Sequence, residues 1–245
     1  MTSVKNIKIK VIPSQIANRF IKRHHYSGKI VNNSKIHFGC FLDQFLHGVM
    51  SFGPPLDKRK VISLVEDTKW NEMLELNRLA FDNHLPRNSE SRCLSIVFKL
   101  LRKNAPQIKW ILSFADATQC GDGVIYRASG FQLTGIIPNE NTCELPNGET
   151  MHKMTLESNP TKRRKELGGK TYYDVTGGRY DFDKYIKFVG GKKLTGYQLR
   201  YIHLIDKSCK ITVPILPYSR IDEVGAGMYK GEKITVAERH ASVVQ

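Results

Sequence analysis

The alternation of apolar and polar residues predicts a series of short strands and helices. Two-residue alternation and compact apolar runs predict strands, whereas apolar residues spaced by three and four predict helices. The predicted elements, in chain order, are strand 8–12, helix 15–22 capped by Ser14, hairpin strands 36–42 and 45–52, strand 74–81, a helix burying Cys93, Ile96, Val97, Leu100 and Leu101, strand 109–115, helix 124–128 and strand 131–137. Strands alternating with helices are typical of an α/β domain with a mixed sheet.

The stretch 157–200 breaks this pattern. It holds eleven Lys and Arg against five Asp and Glu, and three Gly-Gly pairs. Such a composition favours a flexible basic excursion over a core element. The run Lys162-Arg163-Arg164-Lys165, followed by several tyrosines, suits an arm that binds DNA phosphates, and a solvated loop is the alternative.

Strand-like composition flanks this basic stretch, at 151–156 before it and at 197–205 near its end. We therefore expect three parts. They are a catalytic core in 1–156, a basic Gly-rich insertion or arm in 157–195, and a C-terminal extension packing on the core in 196–245.

The net charge of the chain restricts the kinds of binding partner that we expect. The chain has 38 Lys and Arg against 23 Asp and Glu, a formal net charge of +15. This excess favours a polyanionic partner such as nucleic acid, although an anionic cofactor or a merely basic protein would also fit. Five scattered cysteines without a CxxC pair indicate reduced thiols, and the chain shows neither a signal peptide nor a membrane span. We expect a protein of the cytoplasm.

The loop between strand 74–81 and the following helix has the character of a phosphate site. A helix N-terminus presents unpaired backbone N–H groups and the positive end of the helix dipole. Hydroxyl, amide and guanidinium groups cluster there, on Arg87, Asn88, Ser89, Ser91 and Arg92. In the alternative interpretation a serine caps the helix and the arginines are solvated.

The order of these segments resembles the GNAT acyltransferase core, whose sheet is mixed and mostly antiparallel and is flanked by helices. In that superfamily the loop before the helix binds the pyrophosphate of acyl-CoA. Tyr126 precedes Gly130-Phe131 and matches the tyrosine that protonates the leaving thiolate. The same resemblance makes Glu75 a candidate base.

Longer strings resemble the phage Mom family of DNA-modification proteins. They begin with Asn33-Ser34 and Ile36-His37-Phe38-Gly39, and continue through residues 48–54, 86–92, 114–116, 119–123, 126–131, 196–201 and 217–222. The resemblance implies an enzyme that adds a carbamoylmethyl (acetamido) group to N6 of adenine in double-stranded DNA, which protects phage DNA from host restriction. It also implies a phage or prophage origin, an acetyl-CoA or related acyl donor, and a link with iron for which the sequence gives no clear ligand set.

Carried over to this sequence, the resemblance makes Asp116 and Tyr126 the catalytic pair. It assigns Arg78 and Ser91 to the donor side, and His25 with Tyr26 to the substrate side. Asp116 as a turn residue and Tyr126 as a packing aromatic are the structural alternatives.

Two other functions remain open from the sequence. One is a GNAT-type N-acetyltransferase acting on protein, RNA or a small amine, and the other is a non-catalytic DNA-binding protein. The oligomeric state is also open, with a homodimer as one option.

Overall fold

The computed structural model describes residues 6–118, 121–229 and 232–233. The strands are β1 (Lys8–Val11), β2 (Ile36–Leu42), β3 (Phe45–Gly53), β4 (Met73–Phe81), β5 (Trp110–Asp116), β6 (Gln132–Glu144), β7 (Thr150–His152), β8 (Lys192–Leu204), β9 (Met228–Tyr229) and β10 (Glu232–Lys233). The helices are α1 (Ser14–His24), α2 (Ser89–Asn104), α3 (Val124–Ala128), α4 (Lys153–Glu157), α5 (Tyr172–Thr176), α6 (Phe182–Val189) and α7 (Ser219–Glu223).

The main sheet has eight strands in the order β1-β2-β3-β4-β5-β8-β6-β7. β1 to β4 pair with their neighbours antiparallel, whereas β4 and β5 pair parallel. The expected mixed, mostly antiparallel sheet with flanking helices is therefore confirmed.

The predicted hairpin between β2 and β3 is confirmed, and its turn shows why two residues suffice. Asp43 and Gln44 have positive φ values of 47° and 70°. Two successive residues with positive φ form the tight turn whose twist matches that of antiparallel strands. The strand pair places Phe38 opposite Met50 and His37 opposite Ser51.

Three local expectations were wrong. Ser14 is not the cap of α1, because the helix begins with it and Pro13 holds the cap position. The strand expected at 151–156 ends after His152, where α4 begins. β8 starts at Lys192, five residues before the expected boundary, because basic residues at a strand end carry no apolar alternation.

Two compact units emerge from the contacts within the chain. The first comprises the described part of Met1–Ala115 together with Gly123–Gly135 and Leu199–Arg220. Its core includes two apolar clusters, one around Met73 and Trp110 and one that packs α1 against β3 and β4 through Ile21, Val49 and Ala80.

The second unit contains most of the basic stretch, and there the expectation of a flexible excursion was wrong. Leu167, Tyr172, Phe182 and Tyr185 belong to one buried cluster. α5 begins with a reciprocal cap in which Thr171 and Asp174 bind each other's backbone N–H. The sequence signal was masked because aromatic residues supply the core while lysines and arginines fill the positions between them. The predicted division at residues 156 and 195 stays a prediction.

Four cysteines are free thiols in the described residues: Cys40, Cys93, Cys143 and Cys209. Cys120 lies outside the described residues. No helix among those residues is both long enough and apolar enough to cross a membrane.

His203 on β8 makes the first unit sensitive to acid. Its Nδ1 lies 3.1 Å from the Gly130 carbonyl oxygen and its ring stacks on Phe98 at 4.1 Å. Burial is the main cause that lowers the pKa of His203 to about 4, and the positive charges of Lys207 and Arg102 lower it further. The hydrogen bond with Gly130 acts in the opposite direction and raises the pKa.

We expect this histidine to lower stability in acid. Its folded-state pKa lies below the unfolded value, so the unfolded chain binds the proton more readily as pH falls from 6.5 towards 4. Between pH 7.5 and pH 5 the loss attributable to His203 is about 2 kcal/mol. Urea unfolding of wild type and His203→Gln at both values measures it. Equal acid losses in the two proteins would contradict the assignment.

Candidate active site

A β-bulge in β4 brings polar side chains to one face of the sheet. The register pairs Gly53 with Glu75 and Ser51 with Arg78, which leaves Asn77 as an extra residue in β4. Alternate residues of β3 share a face, so Glu75 and Arg78 share that face although they are three positions apart.

Gly53 has no side chain and therefore allows residues 33 and 34 to approach this bulge closely. A Cβ at position 53 would clash with the Asn33 carbonyl oxygen and lie 2.7 Å from Asn77 Oδ1. Ser34 Oγ donates to the same Asn77 oxygen over 3.1 Å, and Asn33 Nδ2 donates to the Pro54 carbonyl over 2.7 Å. The bulge is thereby fixed from the side by residues that precede β2.

Arg78 is held by backbone carbonyls. Its Nε donates to Lys29 O over 2.9 Å and its Nη1 to Asn77 O over 2.7 Å. Burial lowers the pKa of Arg78, and three nearby side chains act in the opposite direction: Tyr26, Glu75 and Tyr126. These groups therefore surround one fixed guanidinium.

Glu75 has the properties of a base at this site. Burial raises the pKa of its carboxyl group, while a hydrogen bond with Asn77 and the Arg78 charge oppose the rise. A carboxylate with a raised pKa accepts a proton more readily near neutral pH.

His25 is held as a neutral imidazole directly after α1. Its Nδ1 accepts the Ser27 backbone N–H over 3.2 Å and lies 2.8 Å from Ser27 Oγ. Burial, and then the Arg78 cation, lower the pKa of His25 to about 4. The proton of the neutral ring is therefore on Nε2. The ring also contacts Tyr26, whose side chain is 57% exposed, at 4.3 Å.

Tyr126 lies on α3, which starts after a glycine that the packing requires. Gly123 has φ 72°, and a Cβ there would lie 2.8 Å from the Tyr201 ring. The Tyr126 ring contacts Tyr201 at 5.4 Å and Phe131 at 5.3 Å. It also interacts electrostatically with Arg78. The role of Tyr126 as a packing aromatic is therefore compatible with the catalytic role expected from the sequence.

Asp116 is the last residue of β5 and belongs to the second unit. Its Oδ1 accepts the Thr118 backbone N–H over 3.1 Å, which makes it a turn residue. This contact supports the structural alternative. The catalytic role of Asp116 stays a prediction.

The parallel ladder between β4 and β5 is short. Their parallel register joins Met73 to Trp110, Leu74 to Ile111 and Glu75 to Leu112. β4 continues to Phe81, so its backbone groups beyond Glu75 face β5 without a ladder partner in this register. An extended ligand with amide groups can bind such an edge as an added strand would.

The loop at the carboxyl end of β4 leads into the 16-residue helix α2. Asn88 takes the left-handed conformation with φ 67° and makes no side-chain cap hydrogen bond. Ser89 is fully buried and its hydroxyl donates to Pro86 O, while Ser91 Oγ donates to Asn88 O over 3.2 Å. Ser89 therefore shapes the loop, and the donor-binding role expected for it stays a prediction. Two exposed arginines and the first-turn N–H groups remain for an anion, at Arg87 and Arg92.

His47, Asp82 and His84 form a cluster that could hold a metal ion, with ligand atoms within 4.8 Å of one another. His47 Nδ1 lies 2.9 Å from Asp82 Oδ2, and the His84 backbone N–H donates to Asp82 Oδ1 over 3.0 Å. These hydrogen bonds already occupy both carboxylate oxygens. Two imidazoles and a carboxylate suit several divalent metals, so the expected iron gains no specific support.

The basic run 162–165 is split by its packing. Lys162, Arg163 and Lys165 are exposed. The Arg164 side chain is only 9% exposed, donates to Thr155 O and lies 3.7 Å from Glu166. The Arg164 guanidinium therefore belongs to the second unit's own packing, and the DNA-binding role expected for it stays a prediction.

The structure thus gathers four of the expected residues, His25, Tyr26, Glu75 and Tyr126, around the Arg78 guanidinium in the first unit. The other expected donor residues, from Arg87 to Arg92, lie after the carboxyl end of β4. Sequence reasoning missed Asn77 and Gly53. Gly53 directly follows the strand predicted at 45–52 and precedes two prolines, and nothing in the residue pattern marks the bulge.

The chain belongs to the Mom protein family, whose model matches residues 6–220. It is similar to the methylcarbamoylase Mom of Escherichia phage Mu, with 36% identity over 165 residues. That alignment covers 67% of this chain and 66% of the phage Mu protein, slightly less than two thirds of the relative's length.

Solved structures similar to this chain include two N-acetyltransferases. The ribosomal-protein-S18-alanine N-acetyltransferase of Escherichia coli is 11% identical, with a TM-score of 0.44 over 82% of this chain and 94% of that one. The spermidine/spermine N-acetyltransferase of Vibrio cholerae is 9% identical, with a TM-score of 0.47 over 84% of this chain and 96% of that one.

Proposed function

We propose that the protein is a transferase that adds a carbamoylmethyl group to N6 of adenine in phage DNA, in the cytoplasm of the bacterial host. The observation that carries the proposal is the match to the Mom family over residues 6–220. The similarity to the phage Mu methylcarbamoylase supports the transferred group. The adenine acceptor is the one that the resemblance to the family implies.

The side chains around Arg78 would act on the acceptor, adenine N6. Adenine N6 is a weak nucleophile because its lone pair is delocalised into the ring, so the enzyme must orient it and accept its proton as the N6–carbon bond forms. Glu75 is suited to accept that proton, and Asp116 stays a second candidate. His25 Nε2–H is suited to donate a hydrogen bond to the adenine ring.

The adenine has to leave the duplex before these groups can reach N6. The half-exposed ring of Tyr26 offers a stacking surface beside His25. Exposed cations on the second unit, among them Lys162, Arg163 and Lys165, would neutralise DNA phosphates in keeping with the net charge of +15.

The donor is proposed to be acetyl-CoA or a related acyl thioester. Its phosphates would bind at the N-terminus of α2 with Arg87, Asn88, Ser91 and Arg92, and its amide-bearing arm along the open edge of β4. Acetyl-CoA alone would leave an acetyl group on N6 with release of the thiolate. The carbamoylmethyl product requires a related donor that carries CH2–CO–NH2 with the leaving group on its methylene carbon, so that the N6–carbon bond forms as the bond to the leaving group breaks. Tyr126 would protonate the leaving group, and Arg78 would stabilise the negative charge that develops.

Nucleoside mass spectrometry tests the proposal. DNA from cells expressing the protein is expected to contain a heavier deoxyadenosine after enzymatic digestion. Carbamoylmethyl and acetyl groups differ in composition by one NH, so the mass gain separates the proposed product from simple acetylation. Unmodified deoxyadenosine alongside soluble, folded protein would overturn the proposal, and an acetyl mass gain would change its chemistry.

A further inference from the structure

Two large apolar side chains stand exposed at the amino end of β4. Leu56 is 73% exposed and Trp70 is 56% exposed. With Pro54, Lys58 and Arg59 they line a surface cleft of the first unit, which we name the Leu56–Trp70 platform. An exposed indole beside an exposed leucine is a common mark of a binding surface.

The platform is held in place from below. Lys58 Nζ donates to the Trp70 carbonyl and lies 4.8 Å from the centre of the indole ring. Thr68, two residues before the tryptophan, donates to Val65 O over 2.7 Å and accepts the Trp110 indole N–H over 3.0 Å. A surface fixed in this way loses little conformational entropy on binding.

Its charge suits an anionic partner. The side chains of Arg59 and Lys60 are 83% and 81% exposed. Asp57 lies 3.3 Å from Arg59 Nε and 3.8 Å from Lys60 Nζ, so one carboxylate faces two exposed cations. Apolar side chains among exposed cations match the needs of nucleic acid, which presents phosphates outside and stacked bases inside.

The position of the platform separates it from the donor loop. Leu56 follows Gly53 by three residues and Trp70 precedes Glu75 by five, and Gly53 and Glu75 are paired in the sheet. The loop into α2 leaves the opposite end of β4, after Phe81. The acceptor can therefore approach Glu75 from one end of β4 while the donor occupies the other.

We propose that the Leu56–Trp70 platform binds duplex DNA next to the target adenine, a proposal that rests on the proposed function. The Trp70 indole stacks on the bases that flank the gap left by the extruded adenine, and the Leu56 side chain packs against them. Arg59 and Lys60 bind the phosphates beside it.

The test measures binding of two oligonucleotide duplexes by fluorescence anisotropy at two salt concentrations. In one duplex the target adenine is paired, and in the other it faces an abasic site, which removes most of the cost of extrusion. The variants are Leu56→Ala/Trp70→Ala and Arg59→Ser/Lys60→Ser. Matched controls elsewhere on the first unit are Ile215→Ala, for an exposed apolar residue, and Lys99→Ser/Lys103→Ser, for exposed cations.

The apolar double variant is expected to bind the paired duplex on the order of ten- to a hundredfold more weakly, and the abasic duplex should recover part of the loss. The charge variant is expected to weaken binding to both duplexes and to reduce the slope of log affinity against log salt by about two. The controls should bind as the wild type does.

Wild-type affinity of both platform variants for both duplexes would overturn the proposal. A change in oligomeric mass without a change in DNA binding would also overturn it, because the platform would then bind a second copy. Failure of the proposed function is distinguishable from either result. If DNA binding depends on the platform but no modified nucleoside is found, the platform proposal stands and the proposed transferase function is rejected. If the DNA is modified whether or not the platform is intact, the transferase function stands and the platform proposal is rejected.

Discussion

Replacement of Glu75 by glutamine is expected to lower adenine modification by on the order of 10²–10⁴-fold while the protein stays folded. The carboxylate shares its face of the sheet with Arg78, and burial raises its pKa. Glutamine keeps the shape and the hydrogen bond with Asn77 but accepts no proton. The measurement is the fraction of modified deoxyadenosine in DNA from cells expressing equal amounts of each protein.

The matched control for this substitution is Glu66→Gln, which neutralises an exposed carboxylate outside the site. Asp116→Asn and Tyr126→Phe, measured in parallel, test the catalytic pair expected from the sequence. Full modification by a folded Glu75→Gln protein would reject Glu75 as the base. A loss confined to Asp116→Asn would return that role to Asp116.

Replacement of Gly53 by alanine is expected to reduce modification by about a hundredfold, because a small displacement of catalytic groups has effects of this size. The added methyl would meet Asn33 O and Asn77 Oδ1, and backbone atoms cannot move aside as a flexible side chain does. Overpacking of this kind also destabilises proteins by roughly 1–3 kcal/mol. Urea unfolding and nucleoside analysis measure the two effects separately.

Gly39→Ala is the control for Gly53→Ala. It adds the same methyl in β2, where the neighbours are the side chains of Phe41, Leu46 and Ile12. We expect it to lower stability without lowering modification per folded molecule. If Gly53→Ala and Gly39→Ala reduce modification equally, the loss comes from stability and the bulge has no special role.

The sequence predicted those elements whose signal is local. The hairpin followed from two apolar runs separated by Asp43 and Gln44, and α2 followed from its one-sided apolar spacing. These features depend on residues within one or two turns of each other, so the printed order is sufficient to identify them.

The second unit was misjudged for a physical reason. Its short helices bury Tyr172, Phe182 and Tyr185, but these aromatics are interspersed with lysines and glycines. Average composition then indicates a polar, flexible stretch. Only the three-dimensional packing shows that the aromatic rings gather on one side.

The candidate site was predictable in part. The resemblance to known families singled out His25, Tyr26, Arg78 and Tyr126, which the structure brings together around one guanidinium. Arg164 and Ser89 are largely buried, which residue type alone does not reveal because exposure depends on packing across the fold. The binding roles expected for them stay predictions. The contact between Asn33 and Gly53 joins distant parts of the chain and has no local signal.

The bulge in β4 also changes how much chemistry one strand can present. A regular strand sends every second side chain to a given face, so positions 75 to 78 would offer two groups there. With the extra residue, Glu75, Asn77 and Arg78 all contribute on the side of Gly53. An anion, an amide and a cation thus occupy a span of about 10 Å. Transfer of these three side chains to a strand of another protein would therefore require transfer of the β-bulge as well.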